Sequence, residues 1–304
     1  MKRESARVLD ARALRHWPLP AIDAGADKEE RGRVLVAGGS REIAGAVQLA
    51  AVAALRAGAG KLAIATARSA APNVAQAVPE ARVIGVDESR SGALQSSSLD
   101  ELTPSVESAA AVLAGPGLMD PEGSAPFVLH LLAHCKDAPM VLDAGAMDVV
   151  RQVRRFEQRV LMTPHAGEMA HLLGISKDEV ERDPHEVALR AASEWNAIVA
   201  LKGATTFIAT PRGEAWCHEG GHPGLATSGS GDVLAGLIVG FAARGVPLEQ
   251  AAAWGVVMHA LAGQTLAREL GPLGFLAREL PHTVPALMKK VGTPVRRSRA
   301  PRAN

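Results

Sequence analysis

Residues 218–236 read HEGGHPGLATSGSGDVLAG, and the fold turns on how this stretch is read. Its first five residues fit the H-E-x-x-H pattern of zinc proteases, which needs His218 and His222 one helical turn apart on one face. Gly220 and Gly221 lie between them and Pro223 follows, so the backbone opposes a helix and the zinc reading fails. The second half behaves differently. Thr227, Ser228, Gly229, Ser230 and Gly231 run directly into the apolar segment DVLAGLIVGFAARG that starts at Asp232. Backbone N–H groups converging at the start of such a helix make an anion hole, with the Asp232 carboxylate beside it.

Outward from this loop, short apolar runs alternate with longer Ala- and Leu-rich segments, the pattern of strands and helices laid on a mainly parallel sheet. Strands are predicted at RVLVA from Arg33, KLAIAT from Lys61, ARVIGV from Ala81, AAVLAG from Ala110, PMVLDA from Pro139, RVLMT from Arg159 and AIVALKG from Ala197. Most lack period-two alternation, as strands buried on both faces should. TFIAT from Thr206 and EAWCH from Glu214, joined by PRG, read as an antiparallel hairpin covering the sheet edge. Helices are predicted over 45–57, 123–134, 167–173, 184–194, 232–244 and 248–270, and 87–98 reads as a surface loop. The divisions expected are an N-terminal segment (1–31), one α/β domain (32–290) and a disordered Arg-rich tail (291–304).

With 33 basic and 32 acidic side chains in 304 residues, there is no global field to attract nucleic acid. Aromatic content of 3% without Tyr also argues against base-stacking platforms. Cys135 and Cys217 show no C-x-x-C spacing, so reduced thiols and a cytoplasmic location are expected. No apolar run approaches the ~20 residues of a membrane span.

Several predicted strands end in residues suited to a ligand. GRVLVAGGS from Gly32 and LAGPGL from Leu113 end in glycines; VLDAGAMD from Val141 ends at Asp143, and LMTPHAGE from Leu161 offers Thr163, His165 and Glu168. ALKGATTFIAT from Ala200 adds Lys202. GAGK from Gly58 is not a phosphate loop, since it follows a helix and lacks the next Ser or Thr. In open parallel sheets the crevice outside the carboxyl ends of strands is where ligands bind, and all these groups are predicted there.

Taken in order, GRVLVAGGS, LAGPGL, VLDAGAMD, TPHAGE, LKGATT and GLATSGSGDVLAG resemble the bacterial ADP-dependent NAD(P)H-hydrate dehydratases of the ribokinase-like superfamily, over about 32–285. The resemblance implies a three-layer α/β/α sandwich with an antiparallel edge hairpin. It implies conversion of the (6S)-hydrates NADHX and NADPHX to NADH and NADPH, with ADP as phosphoryl donor and Mg²⁺ as cofactor. Asp232 would be the catalytic base; Ala46, Gly117, His165 and Asp232 would contact the hydrate. Lys202, Gly203, Ala204, Thr205, Thr206, Ser230 and Gly231 would hold the nucleotide, and Glu168 would serve the metal through water. A homo-oligomer, by resemblance a tetramer, and a separate epimerase as functional partner are also implied. Ile43 departs from the Tyr usual in the first loop, and His222 from an expected Asn. The alternatives are a vitamin-precursor kinase of the same superfamily and a non-catalytic nucleotide-binding module.

Overall fold

A computed structural model describes residues 5–21, 27–135 and 137–292. Among these, ten strands form one sheet: β1 (Arg7–Val8), β2 (Arg33–Ala37), β3 (Lys61–Ala67), β4 (Ala81–Val86), β5 (Ala111–Ala114), β6 (Met140–Leu142), β7 (Val160–Met162), β8 (Ile198–Leu201), β9 (Thr206–Ala209) and β10 (Ala215–His218). The helices are α1 (Ala11–His16), α2 (Ala44–Arg56), α3 (Ala71–Ala77), α4 (Leu99–Glu107), α5 (Pro121–His134), α6 (Val150–Val153), α7 (Ala166–Leu173), α8 (Lys177–Arg182), α9 (Pro184–Trp195), α10 (Ser230–Ala243), α11 (Leu248–Leu270) and α12 (Leu280–Val291). Of the predicted tail, Val291 instead ends α12 and Gly292 caps it, and 293–304 lies outside the described residues.

Across the sheet the order is β1-β10-β9-β8-β7-β6-β5-β2-β3-β4. Only β9 runs against its neighbours, pairing antiparallel with both β8 and β10. The apolar runs lack alternation because both faces are covered. In β2, Val34 and Val36 face a core built with α2, α10, α11 and α12, whereas Leu35 and Ala37 face a second core built with α4, α5, α7 and α9. The result is the expected three-layer sandwich.

The predicted hairpin is present but is not the outermost element. β1 adds in parallel beyond β10, with Leu9 N–H donating to the Cys217 carbonyl at 2.7 Å. Trp17 stacks on Trp216 with centroids 5.5 Å apart, and Leu14 and Leu19 are buried in the first core. Paired backbone and a buried aromatic thus cover an edge that would otherwise be open to other strands.

Two helices set the position of the phosphate loop. In α10, a β-carbon built on Gly236 would collide with the Ala50 carbonyl of α2, and one on Gly240 would lie 2.5 Å from that of Ala54. Backbone-to-backbone approach therefore fixes α10 against α2, and both helices point the same way. Gly240→Val should destabilise the fold by ~3 kcal/mol or more in urea denaturation, since neither backbone can yield. An unchanged midpoint would mean the helices slide freely.

Candidate functional site

From β2 the chain moves outward through β3 and β4, then returns with β5 on the other side of β2. Such a switch point leaves a crevice at the carboxyl ends of the strands. Here the loops after β2 and β5 close on each other: Gly39 N–H donates to the Pro116 carbonyl at 2.6 Å. A β-carbon on Gly117 would sit 2.9 Å from Ala46 Cβ and 2.5 Å from the Ile43 carbonyl. Ala46 and Gly117 are thus brought together. The pairs Ala54–Gly240 and Ala50–Gly236 step by one turn along both helices, toward the ends that carry Ala46 and Asp232.

Gly229 begins the loop-to-helix junction in a left-handed conformation, φ 87°, that glycine adopts without strain. Ser230 N–H then bonds the Thr227 carbonyl and Val233 N–H the Gly229 carbonyl. The N–H groups of Gly231 and Asp232 have no such partner among the described residues, which leaves them open to an anion.

Around this hole the strand ends assemble a charge cluster. Asp143, buried after β6, accepts from Thr163 Oγ1 at 2.6 Å and from Lys202 Nζ at 3.3 Å. Glu168 Oε2 lies 3.7 Å from the same ammonium and accepts the His165 N–H at 2.7 Å, closing a capping box on α7. Lys202 N–H in turn donates to the Pro164 carbonyl at 2.8 Å, which holds the end of β8 beside that of β7. Burial disfavours the Lys202 ammonium, but Asp143, Glu168 and Asp232 outweigh it and hold its pKa above the ordinary value. Asp232 is pushed up to about 7, first by burial and then by the Asp143 carboxylate, with Lys202 opposing. Its carboxylate has no hydrogen-bond partner among the described residues.

A cleft of about 690 Å³ opens from the hole toward α11. Its lining includes His165, Lys202, Gly203, Ala204, Thr206, Ser230 and Gly231; Thr205 is not part of it. Sequence reasoning passed over His259, a core position of α11, which meets Ser230 Oγ at 3.0 Å and is held to a pKa of about 4, chiefly by burial. No pattern in the Ala-rich helix singles it out. His218 and His222 also line the cleft, on non-helical backbone. The Leu9 carbonyl can only accept, so His218 Nδ1 donates to it, at 2.7 Å.

The described residues gather no three His, Cys, Asp or Glu side chains suited to hold a metal ion. The Lys202 ammonium occupies the middle of the carboxylates instead. Three acids against one lysine leave excess negative charge, and their donors are hard oxygens, as Mg²⁺ prefers when it binds through few carboxylates and retained water.

The family model described as NAD(P)H-hydrate dehydratase matches residues 34–286. The chain is 47% identical to the ADP-dependent (S)-NAD(P)H-hydrate dehydratase of Xanthomonas campestris pv. campestris, over 94% of this chain and 97% of that one. It superposes with a TM-score of 0.83 on a ribokinase-like superfamily protein of Enterococcus faecalis, at 28% identity, covering 95% of this chain and 97% of the other. An ADP/ATP-dependent NAD(P)H-hydrate dehydratase of Bacillus subtilis, co-crystallized with ATP/Mg²⁺, gives 0.81 at 29% identity, covering 94% and 99%. Matching along nearly its whole length, and carrying the charge cluster and open amides at the switch point, the chain belongs to the NAD(P)H-hydrate dehydratase family.

Proposed function

We propose that the protein dehydrates the (6S)-hydrates of NADH and NADPH, consuming ADP and releasing AMP and phosphate. The observation that carries this reading is Asp232: a carboxylate with no hydrogen-bond partner among the described residues, raised to about 7, beside two open amides. Asp232 takes the proton of the C6 hydroxyl, whose oxygen bonds to the β-phosphorus of ADP as the bond to the bridging oxygen breaks and AMP leaves. Hydroxide, a poor leaving group, has thereby become phosphate. The ring nitrogen's lone pair expels it, and loss of a C5 proton restores the dihydronicotinamide.

Ala46, Gly117 and His165 position the ring, while Lys202 and the Gly231 and Asp232 amides meet the charge on the transferring phosphoryl group. Gly203, Ala204, Thr205, Thr206 and Ser230 take the remainder of the nucleotide. Mg²⁺ would be held through water by Glu168 and would neutralise phosphate charge. The same reading places the protein in the cytoplasm as a homo-oligomer, with a separate epimerase supplying the (6S) form. Two free cysteines agree with a reducing compartment.

Hydrated NADH incubated with ADP and Mg²⁺ should regain the near-ultraviolet absorbance of the dihydronicotinamide; no recovery, with ADP or ATP, would sink the dehydratase reading. Because the base must be ionised, kcat/KM should fall ~10-fold per pH unit below about 7. A bound polyanion penalises the carboxylate further, so the limb in kcat should lie at higher pH than that in kcat/KM. A rate flat from pH 5 to 8, roughly two units below the limb to one unit above it, would remove Asp232 from the base role.

A further inference from the structure

Gly229 caps α10 and has no side chain to bond the first amides of that helix. A Ser, Thr or Asp in its place would use an oxygen on the N–H groups of the second and third helical residues, here Gly231 and Asp232. Keeping those two amides open for an anion therefore gives up the local device that fixes how a helix starts. Their direction has to be held from elsewhere.

The hold comes from α11. At four-residue steps along one face, Gly255, His259 and Gly263 meet the body of α10, its first residue and the loop before it. A β-carbon on Gly255 would lie 2.4 Å from Ile238 Cγ1, and one on Gly263 would lie 2.7 Å from Leu225 Cγ. Between these close approaches, His259 Nε2 is 3.0 Å from Ser230 Oγ, and both residues are buried. The neighbours Trp254, Val256, Val257, Met258 and Ala260 are apolar and buried too. Exchanging both members of such a buried pair for apolar groups of similar shape costs little stability, so helix packing alone does not call for it. Burial also keeps the imidazole uncharged, with a pKa of about 4, so what it supplies to the loop is direction and not charge.

We propose that His259 is a positioning residue: through the Ser230 hydroxyl it aims the Gly231 and Asp232 amides, and the start of α10 that carries the Asp232 side chain, at the phosphoryl group in transfer. This rests on the phosphoryl-transfer step of the dehydratase reading. Such amides meet charge that shifts as the bonds to phosphorus exchange, so misdirecting them lowers kcat more than it weakens ADP binding.

His259→Leu should lower kcat by ~10–100-fold while the ADP KM stays within about threefold. His259→Gln, whose amide can reach the same hydroxyl, should return to within about fivefold of the wild type. Ser230→Ala should lose as much in kcat as His259→Leu, and the double variant no more than either, because the two groups act as one unit. The double variant should also unfold in urea close to the wild-type midpoint. Calorimetric titration of AMP, alone and with aluminium fluoride in place of the phosphoryl group in transfer, reads the amides without any hydrate. His259→Leu should leave AMP binding unchanged and weaken the fluoride complex by ~10-fold, so a failed dehydratase reading leaves the positioning role testable. Losses in kcat that multiply in the double variant, a glutamine variant no better than the leucine one, or a His259→Leu protein that loses stability and keeps kcat would overturn the proposal.

Discussion

Asp232→Asn should lower turnover of the hydrate by at least ~10³-fold while ADP binds with near wild-type affinity, because the amide keeps the shape and loses the lone pair that takes the proton. The same variant should be more stable than the wild type at alkaline pH. The folded value of Asp232 lies above its ordinary 3.8, so its protonated form favours the native state. That contribution is complete below pH ~4 and is lost as pH rises through about 7, beyond which the ionised carboxylate opposes folding. The full difference is on the order of 4 kcal/mol, and the neutral Asn escapes it. Denaturation of both proteins at pH 5 and 8, roughly one unit above and four above the ordinary value, should show the gap widening with pH. Normal turnover in the variant would dismiss the base, and a gap independent of pH would dismiss the strained carboxylate.

Lys202→Met should damage both stability and chemistry. The Lys202 ammonium is the cation within 4.0 Å of Asp143 and Glu168 in the cluster, and the Asp143 side chain is only 4% exposed. Removing one partner of such a buried pair costs ~3–5 kcal/mol, since the surviving carboxylates lose their counter-charge without regaining water. Their pKa values should then rise, so the loss should be largest near neutral pH and shrink toward acid, where they can be protonated. The acid limb of kcat/KM should move upward from about 7, because Lys202 is the group lowering Asp232. Michaelis constants for ADP should rise as well. A stability loss equal at acid and neutral pH would mean that the side chain's packing, and not its charge, holds the cluster.

How much of this was legible in the sequence follows the range of each interaction. Strands buried on both faces announce themselves as unbroken apolar runs, and β2 to β8 were readable in that way. So was α10, whose glycine loop and apolar body are contiguous. β1 was not, because Arg7 and Val8 form a strand only by pairing with β10 more than two hundred residues later. Helices α1, α3, α4, α6, α8 and α12 were also passed over; α4 is mixed in polarity, and α1, α3, α6 and α8 are short. Asp143, Thr163, His165, Glu168 and Lys202 were recognisable as strand-end polar groups. That Asp143 and Glu168 share the Lys202 ammonium depends on the β6–β7 register and on the His165–Lys202 bridge that aligns β8, which no single segment specifies. Thr206 reaches the cleft and Thr205 does not, a distinction of side-chain direction that a doubled threonine conceals.

The contact of Leu9 with His218 has a consequence for how the molecule comes together. It joins positions 209 apart in the chain, and contacts of such separation form late because a large loop must close first. On a ribosome β1 would wait, without its β10 partner, until β10 emerges. The wall of the cleft that His218 builds is therefore finished only once β10 has been made, and a chain that still lacks β10 presents a sheet edge before it can present a site.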